Sequence, residues 1–206
     1  MAYIRKYLNF KRILTIFFIL FSFLLASCSG NENKNTSSIK NEEYIKNNFE
    51  SNSIVIYFSQ TNHTKQIASY IIELTNSISY QILPKIPYTD EDIKYYTDCR
   101  ADREQKDPRV RVEIGSDPID ISTYDTIYLG YPIWHGDAPK IMYTFVENYN
   151  FENKTIIPFC TSESSPVGNS SKNLENLTDG GNWLLGKRFS ITSSKEEVEI
   201  WLNTIK

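Results

Sequence analysis

Three runs of this chain are apolar, rich in β-branched residues and nearly unbroken: SIVIYF at 53–58, TIYLGY at 126–131 and TIIPFC at 155–160. A strand with one wet face alternates apolar and polar residues, because successive side chains point to opposite sides. A strand that is apolar throughout is buried on both faces, as in a parallel sheet covered by helices above and below. Helical spacing follows or precedes each run. Residues 64–76 bring Ile67, Ala68, Ile71 and Ile72 to one face with Leu74 beside them. A helix after the second run carries Ile141, Met142, Phe145, Val146 and Tyr149, and residues 195–205 align Val198, Trp201, Leu202 and Ile205. Shorter strand candidates lie at 79–83 and within 183–191. Strands alternating with helices imply right-handed crossovers and a doubly wound α/β sheet. In such sheets ligands sit beyond the carboxyl ends of the strands, where the strand order reverses. The residues to inspect are therefore those after Phe58, Tyr131 and Cys160. The stretch 84–124 is less patterned: 90–106 reads as a charged, largely exposed helix with a solvated face, and Asp117-Pro118 as a turn.

The N-terminus is of another kind. Arg5, Lys6, Lys11 and Arg12 precede an apolar run at 13–26 broken only by Thr15 and Ser22, the order of an export signal. The run is shorter than the roughly 20 residues that a spanning helix prefers. It closes on Leu25-Ala26-Ser27-Cys28, which resembles the bacterial lipobox, where the cysteine thiol takes a diacylglyceryl group and cleavage precedes it. Residues 1–27 are thus expected to be a lipoprotein signal, with Cys28 the lipidated residue, placing the protein outside the cytoplasm on a membrane. Residues 28–51 are rich in Asn, Glu, Lys and Ser and bury too little to offset their ordering entropy, so they read as a tether. Residues 52–206 are the size of one domain with a single core.

Of 22 basic residues, four precede Cys28, leaving 18 against 25 acidic ones, a charge near −7 after cleavage. An acidic domain without a basic cluster is a poor nucleic-acid binder, since that binding neutralises phosphates. Outside the cytoplasm Cys99 and Cys160 could form one disulfide, but they have neither metal-site nor CxxC spacing, and Cys160 ends an apolar strand as a buried thiol would. With only two histidines and no Ser-His-Asp set, neither a metal cage nor nucleophilic machinery is expected.

Each expected edge loop has a chemical and a plain reading. The first, Ser59-Gln60-Thr61-Asn62-His63-Thr64, offers hydroxyls and backbone N–H groups at a helix start, an anion site that suits a phosphate monoester without lysine. It also reads as a simple helix cap. The second, residues 130–139, holds Trp134 between Pro132 and Gly136, where a core cannot bury it; it reads as a stacking platform or as an indole packed under the loop. His135 there reads as a surface residue or a proton donor. The third, residues 161–168, supplies small hydroxylic residues that suit the polar edge of a flat heterocycle, or a plain turn.

Taken together, YLGYPIW at 128–134 and IPFCTS at 157–162, with the first loop, resemble the flavodoxin-like family in its single-domain bacterial branch, over about residues 53–202. The resemblance implies a three-layer sandwich around a five-stranded parallel sheet in the order 2-1-3-4-5, with FMN as cofactor. Ser59, Thr61, Asn62, His63 and Thr64 would hold the phosphate, Pro132, Ile133 and Trp134 would line one face of the flavin, and Thr161, Ser162 and Gly168 would help frame it. Asn62 stands where the family usually has Gly, and Asn tolerates the left-handed turn. Glu163 and Pro166 stand where glycines are common, and the Glu163 carboxylate is expected near the polar edge of the ring, lowering its reduction potential. His135 replaces a tryptophan or glycine.

The resulting expectation is an FMN-dependent oxidoreductase passing electrons to a quinone-like small molecule or a protein. No GxGxxG occurs, so NAD(P)H, if the donor, would bind transiently over the flavin; a protein donor is the other option. A non-catalytic electron carrier with an acidic docking surface, and a binding module that has lost flavin, are the alternatives.

Overall fold

The computed structural model describes residues 52–95 and 97–205, so the export signal, Cys28 and the tether at 28–51 lie outside the described residues. The elements follow in the order β1 (Ser53–Tyr57), α1 (His63–Thr75), β2 (Ile78–Gln81), a 3-10 turn (Glu91–Ile93), α2 (Arg100–Lys106), β3 (Thr126–Pro132), α3 (Lys140–Glu147), β4 (Thr155–Thr161), α4 (Ser170–Glu175), β5 (Asn182–Trp183), β6 (Lys187–Phe189) and α5 (Lys195–Leu202). All strand pairings are parallel, and the sheet order is β2-β1-β3-β4-β5, with β6 also on β4. This is the doubly wound α/β order 2-1-3-4-5 expected from the sequence.

The strand runs are apolar throughout because they feed two cores. Ile54, Ile56, Ile127, Leu129, Tyr131 and Ile156 face α3 and Leu174 of α4. Val55, Tyr57, Tyr128, Ile157 and Phe159 face Ile67, Ala68 and Ile71 of α1 and Val198, Trp201 and Leu202 of α5. Gly130 has no side chain because Phe159 takes its place: a Cβ there would lie 2.2 Å from that ring. Helix α5 opens with a capping box, Ser194 accepting from the Glu197 N–H while the Glu197 carboxylate accepts from the Ser194 N–H.

Two segments differ from the sequence reading. The fifth strand is split. The even-numbered residues of β4 bond toward that edge: Lys154 O accepts from Asn182 N and Ile156 O from Leu184 N. Pro158 has the same parity and no N–H to contribute, and the ladder lapses there until Phe159 pairs with Lys187. The excursion at 84–122 is also not one exposed helix over 90–106. It holds a 3-10 turn and then α2, and it buries Tyr88, Cys99, Ala101, Asp102, Val112 and Ile121. Its charged residues concealed enough apolar positions to wrap it onto the sheet's edge. Cys99 and Cys160 are both buried free thiols.

Candidate functional site

The carboxyl ends of β1, β3 and β4 bring the three loops side by side. In the first, Asn62 takes the left-handed conformation at φ 65°, ψ −4°, and α1 starts directly after it. This is the turn that Asn was expected to tolerate in place of Gly. Ser59 Oγ accepts from Lys65 N–H at 3.2 Å, while Thr61 and Asn62 are exposed and His63 is half-buried. No side chain from Ser59 to Thr64 is acidic. The loop thus surrounds the positive end of a thirteen-residue helix with hydroxyl and amide donors, which suits an anion.

Thr64 is buried, and its Oγ1 lies 2.7 Å from Thr161 Oγ1 at the end of β4. Each hydroxyl carries one proton, so once they bond to each other one donor is left to share. Thr64 therefore offers an anion its backbone N–H first and its side chain second. The third loop leaves β4 with Thr161 and Ser162 buried and turns at Gly168, φ 56°. The Thr161 carbonyl accepts from the Ile133 N–H of the second loop at 2.9 Å.

The second loop is tighter than its sequence suggests. Trp134 and Asp137 exchange both backbone bonds, at 2.9 and 3.1 Å, across His135 and Gly136, whose φ angles are 50° and 82°. Two consecutive positive φ values are the signature of a I′-type turn, and Gly136 there has open space around its missing Cβ. Pro132 and Ile133 are half-buried beside it. Trp134 is half-buried rather than free in solvent. Its indole meets the Phe58 ring edge-on at 5.4 Å and the Tyr88 ring edge-on at 5.1 Å, so it is packed in part against its neighbours.

Tyr88 and its neighbours are what sequence reasoning missed. The 84–122 excursion forms a wall of the site. Gln60 Nε2 donates to the Tyr88 carbonyl at 3.0 Å. Gln105 Nε2 donates to the carbonyls of Trp134 and Ala138 at 3.1 Å, and its Oε1 accepts from Lys140 N–H, so one side chain of α2 pins both ends of the second loop. Asp102, held well below the usual carboxylate range first by its hydrogen bond from Lys106, also approaches His135 Nδ1 at 3.6 Å. His135 lies at the rim, with the Tyr95 ring 5.1 Å away. At the other end of the turn, Asp137 accepts from the Tyr143 hydroxyl at 2.5 Å and from Asn173 at 3.2 Å. Arg188 of β6, likewise unnoticed in sequence, reaches the third loop. No motif marked these residues, since they act through contacts made far along the chain. Glu163, expected beside the polar edge, has an exposed side chain.

The arrangement offers an anion site, an aromatic wall and a backbone-lined edge in one row, which suits a flat heterocycle carrying a phosphate. Comparison with known proteins agrees. A family model described as flavodoxin matches residues 52–205. Among curated proteins none matches. A protein from Bacteroides uniformis whose crystal structure is described as that of a flavoprotein is 35% identical, with TM-score 0.71 over 75% of this chain and 99% of that one. A second, from Bacteroides eggerthii, is 34% identical, with TM-score 0.70 over 76% of this chain and 98% of that one. A Lactobacillus acidophilus flavoprotein solved in complex with FMN shares the fold at 22% identity, TM-score 0.54, over 73% and 98% of the two chains.

Proposed function

This chain belongs to the flavodoxin family, and from that premise we propose that it is an FMN-binding oxidoreductase, lipid-anchored through Cys28 outside the cytoplasm, passing electrons to a quinone-like molecule or a protein. The observation that carries the reading is the meeting of the acid-free loop at 59–64, the half-buried indole of Trp134 and the loop at 161–168 at one sheet edge. That donor set fits FMN. Ser59, Thr61 and the N–H groups at the start of α1 would take the phosphate. Pro132, Ile133 and Trp134 would cover one face of the ring, and Thr161, Ser162 and Gly168 would frame its edge. When bound, the flavin supplies one- and two-electron transfer.

The residues of the chain orient that group and exclude water. Gln105 and Asp137 hold the second loop closed from both sides, so the indole keeps its place. The Thr64–Thr161 bond keeps the phosphate and ring ends of the site in register. Asp102 lies 3.6 Å from His135 Nδ1 at the rim of the second loop. A charge near −7 after signal removal favours a second reading, an electron carrier docking on a basic protein surface.

Titration of the full chain with FMN, followed by flavin fluorescence and absorption, tests the cofactor. Tight stoichiometric binding supports the reading; no binding leaves a module that has lost flavin. Oxidation of NAD(P)H with reduction of a quinone by the isolated protein supports the enzyme, and its absence in the FMN-loaded protein supports the carrier. Fatty-acid labelling that is lost in Cys28→Ala supports the anchor, and unlabelled wild type removes it.

A further inference from the structure

Arg188 plays no part in the proposal above. It lies on β6, half-buried and in register with Cys160, and its guanidinium reaches over the end of β4 to three acceptors of one loop. Nε donates to Ser162 Oγ at 3.0 Å, and Nη2 donates to the carbonyls of Ser162 at 2.9 Å and Glu163 at 2.6 Å. Ser162 Oγ in turn donates to the Ser165 carbonyl, closing the turn. Several coplanar donors on one rigid fork are what such a clasp requires; an ammonium lacks them.

The clasp determines where the loop's donors point. Across a trans peptide the carbonyl of one residue and the N–H of the next are antiparallel. With the carbonyls of Ser162 and Glu163 turned to Arg188, the N–H groups of Glu163 and Ser164 are turned away from it. The direction follows from the sheet: Arg188 lies on the β6 side of β4, and the other side is β3 with the Trp134 loop, to which the Thr161 carbonyl bonds. Neither N–H has a hydrogen-bond partner among the described residues. Two unpaired donors thus face the loop that carries the aromatic wall. Rotation of the same peptides would present carbonyl oxygens there instead.

We propose that Arg188 is a positioning residue that, by holding the Ser162 and Glu163 carbonyls, turns two backbone donors of the third loop toward the acceptor-rich pyrimidine edge of a bound flavin. The proposal rests on the FMN reading above. It also explains how the loop works without the usual glycines: the orientation that flexible residues would find on binding is imposed beforehand by a side chain from the neighbouring strand.

The test is titration of the full chain with FMN and with riboflavin, in wild type, Arg188→Gln and Arg188→Lys, with near-ultraviolet circular dichroism as the check on folding. Arg188→Gln is expected to weaken both ligands by the same factor, about 10- to 100-fold, because the ring edge is common to them. Arg188→Lys keeps the charge without the fork and is expected to lose about 3- to 10-fold. Thr61→Ala, in the phosphate loop, should weaken FMN alone. Wild-type affinity in Arg188→Lys would show that charge rather than orientation matters and overturns the proposal, even if Arg188→Gln does not fold. Unchanged affinity in both variants overturns it while leaving the FMN reading intact. Wild type that binds neither ligand overturns the FMN reading, and this proposal with it.

Discussion

The hydroxyls of Thr64 and Thr161 meet at 2.7 Å although 97 residues separate them, tying the first turn of α1 to the end of β4. Thr64 is 1% exposed and Thr161 3%, so neither hydroxyl has water as a substitute partner. Thr161→Val keeps the shape and strands the Thr64 oxygen, which should cost about 1–3 kcal/mol. Thr64→Val should cost a similar amount, and the double variant clearly less than the sum. Urea unfolding of the four proteins measures the coupling. Strictly additive losses would mean that the two loops are held together by other contacts.

Trp134 packs into the fold and, in the proposed function, also covers the ligand. Its edge-on contacts with Phe58 and Tyr88 predict that Trp134→Ala loses about 1–3 kcal/mol of stability, less than a fully buried tryptophan because part of the side chain is already exposed. FMN binding should fall about 5- to 150-fold, the range of aromatic stacking on a base. FMN should also quench Trp134 fluorescence, read against a Trp134→Phe control. Unchanged affinity in Trp134→Ala would place the flavin away from the indole.

Glu163 contributes through its backbone. Its carbonyl is held by Arg188 while its side chain is exposed. Screening at the surface should leave the carboxylate a shift on the order of 10 mV in the potential of bound flavin, rather than the larger effect expected from its position in the loop. Glu163→Gln should raise the potential by that little at low salt and by nothing at high salt. A rise of about 50 mV or more that persists in salt would put the carboxylate against the ring.

Cys160 is 1% exposed in β4, and burial pushes its thiol up to about 12 from an ordinary 9.0. The native thiol should resist disulfide reagents at pH 8 and react only on unfolding. A folded-state pKa raised above the unfolded value contributes stability that is complete below about pH 9 and is lost as the pH rises toward 12. Cys160→Ala should flatten the alkaline decline in stability. A decline of unchanged steepness would assign it to other groups, such as the buried tyrosines.

The doubly wound α/β architecture was legible because it rests on local patterns, while the strand order came with the resemblance to flavodoxins. A run apolar at every position admits few homes other than a sheet covered on both sides, and the chain reverses direction over such a sheet in only one hand. Asn62 was legible for the same kind of reason: its short side chain tolerates a left-handed turn within its own residue. The split fifth strand was written in Pro158, but its effect became visible only with the parity of β4 bonding, which puts the missing N–H on the β5 side.

What tertiary structure alone decided is which distant groups close the site. Tyr88 and Gln105 come from a stretch whose charges read as solvated, yet one supplies an aromatic wall and the other pins the second loop. Arg188 bonds to a loop more than twenty residues earlier, and no periodicity records where a long side chain ends. Local sequence determines which way each residue faces on its own strand or helix, because that depends on backbone geometry and a repeating pattern. Which loop a guanidinium or an amide reaches depends on the spacing between packed strands, and that exists only once the sheet has formed.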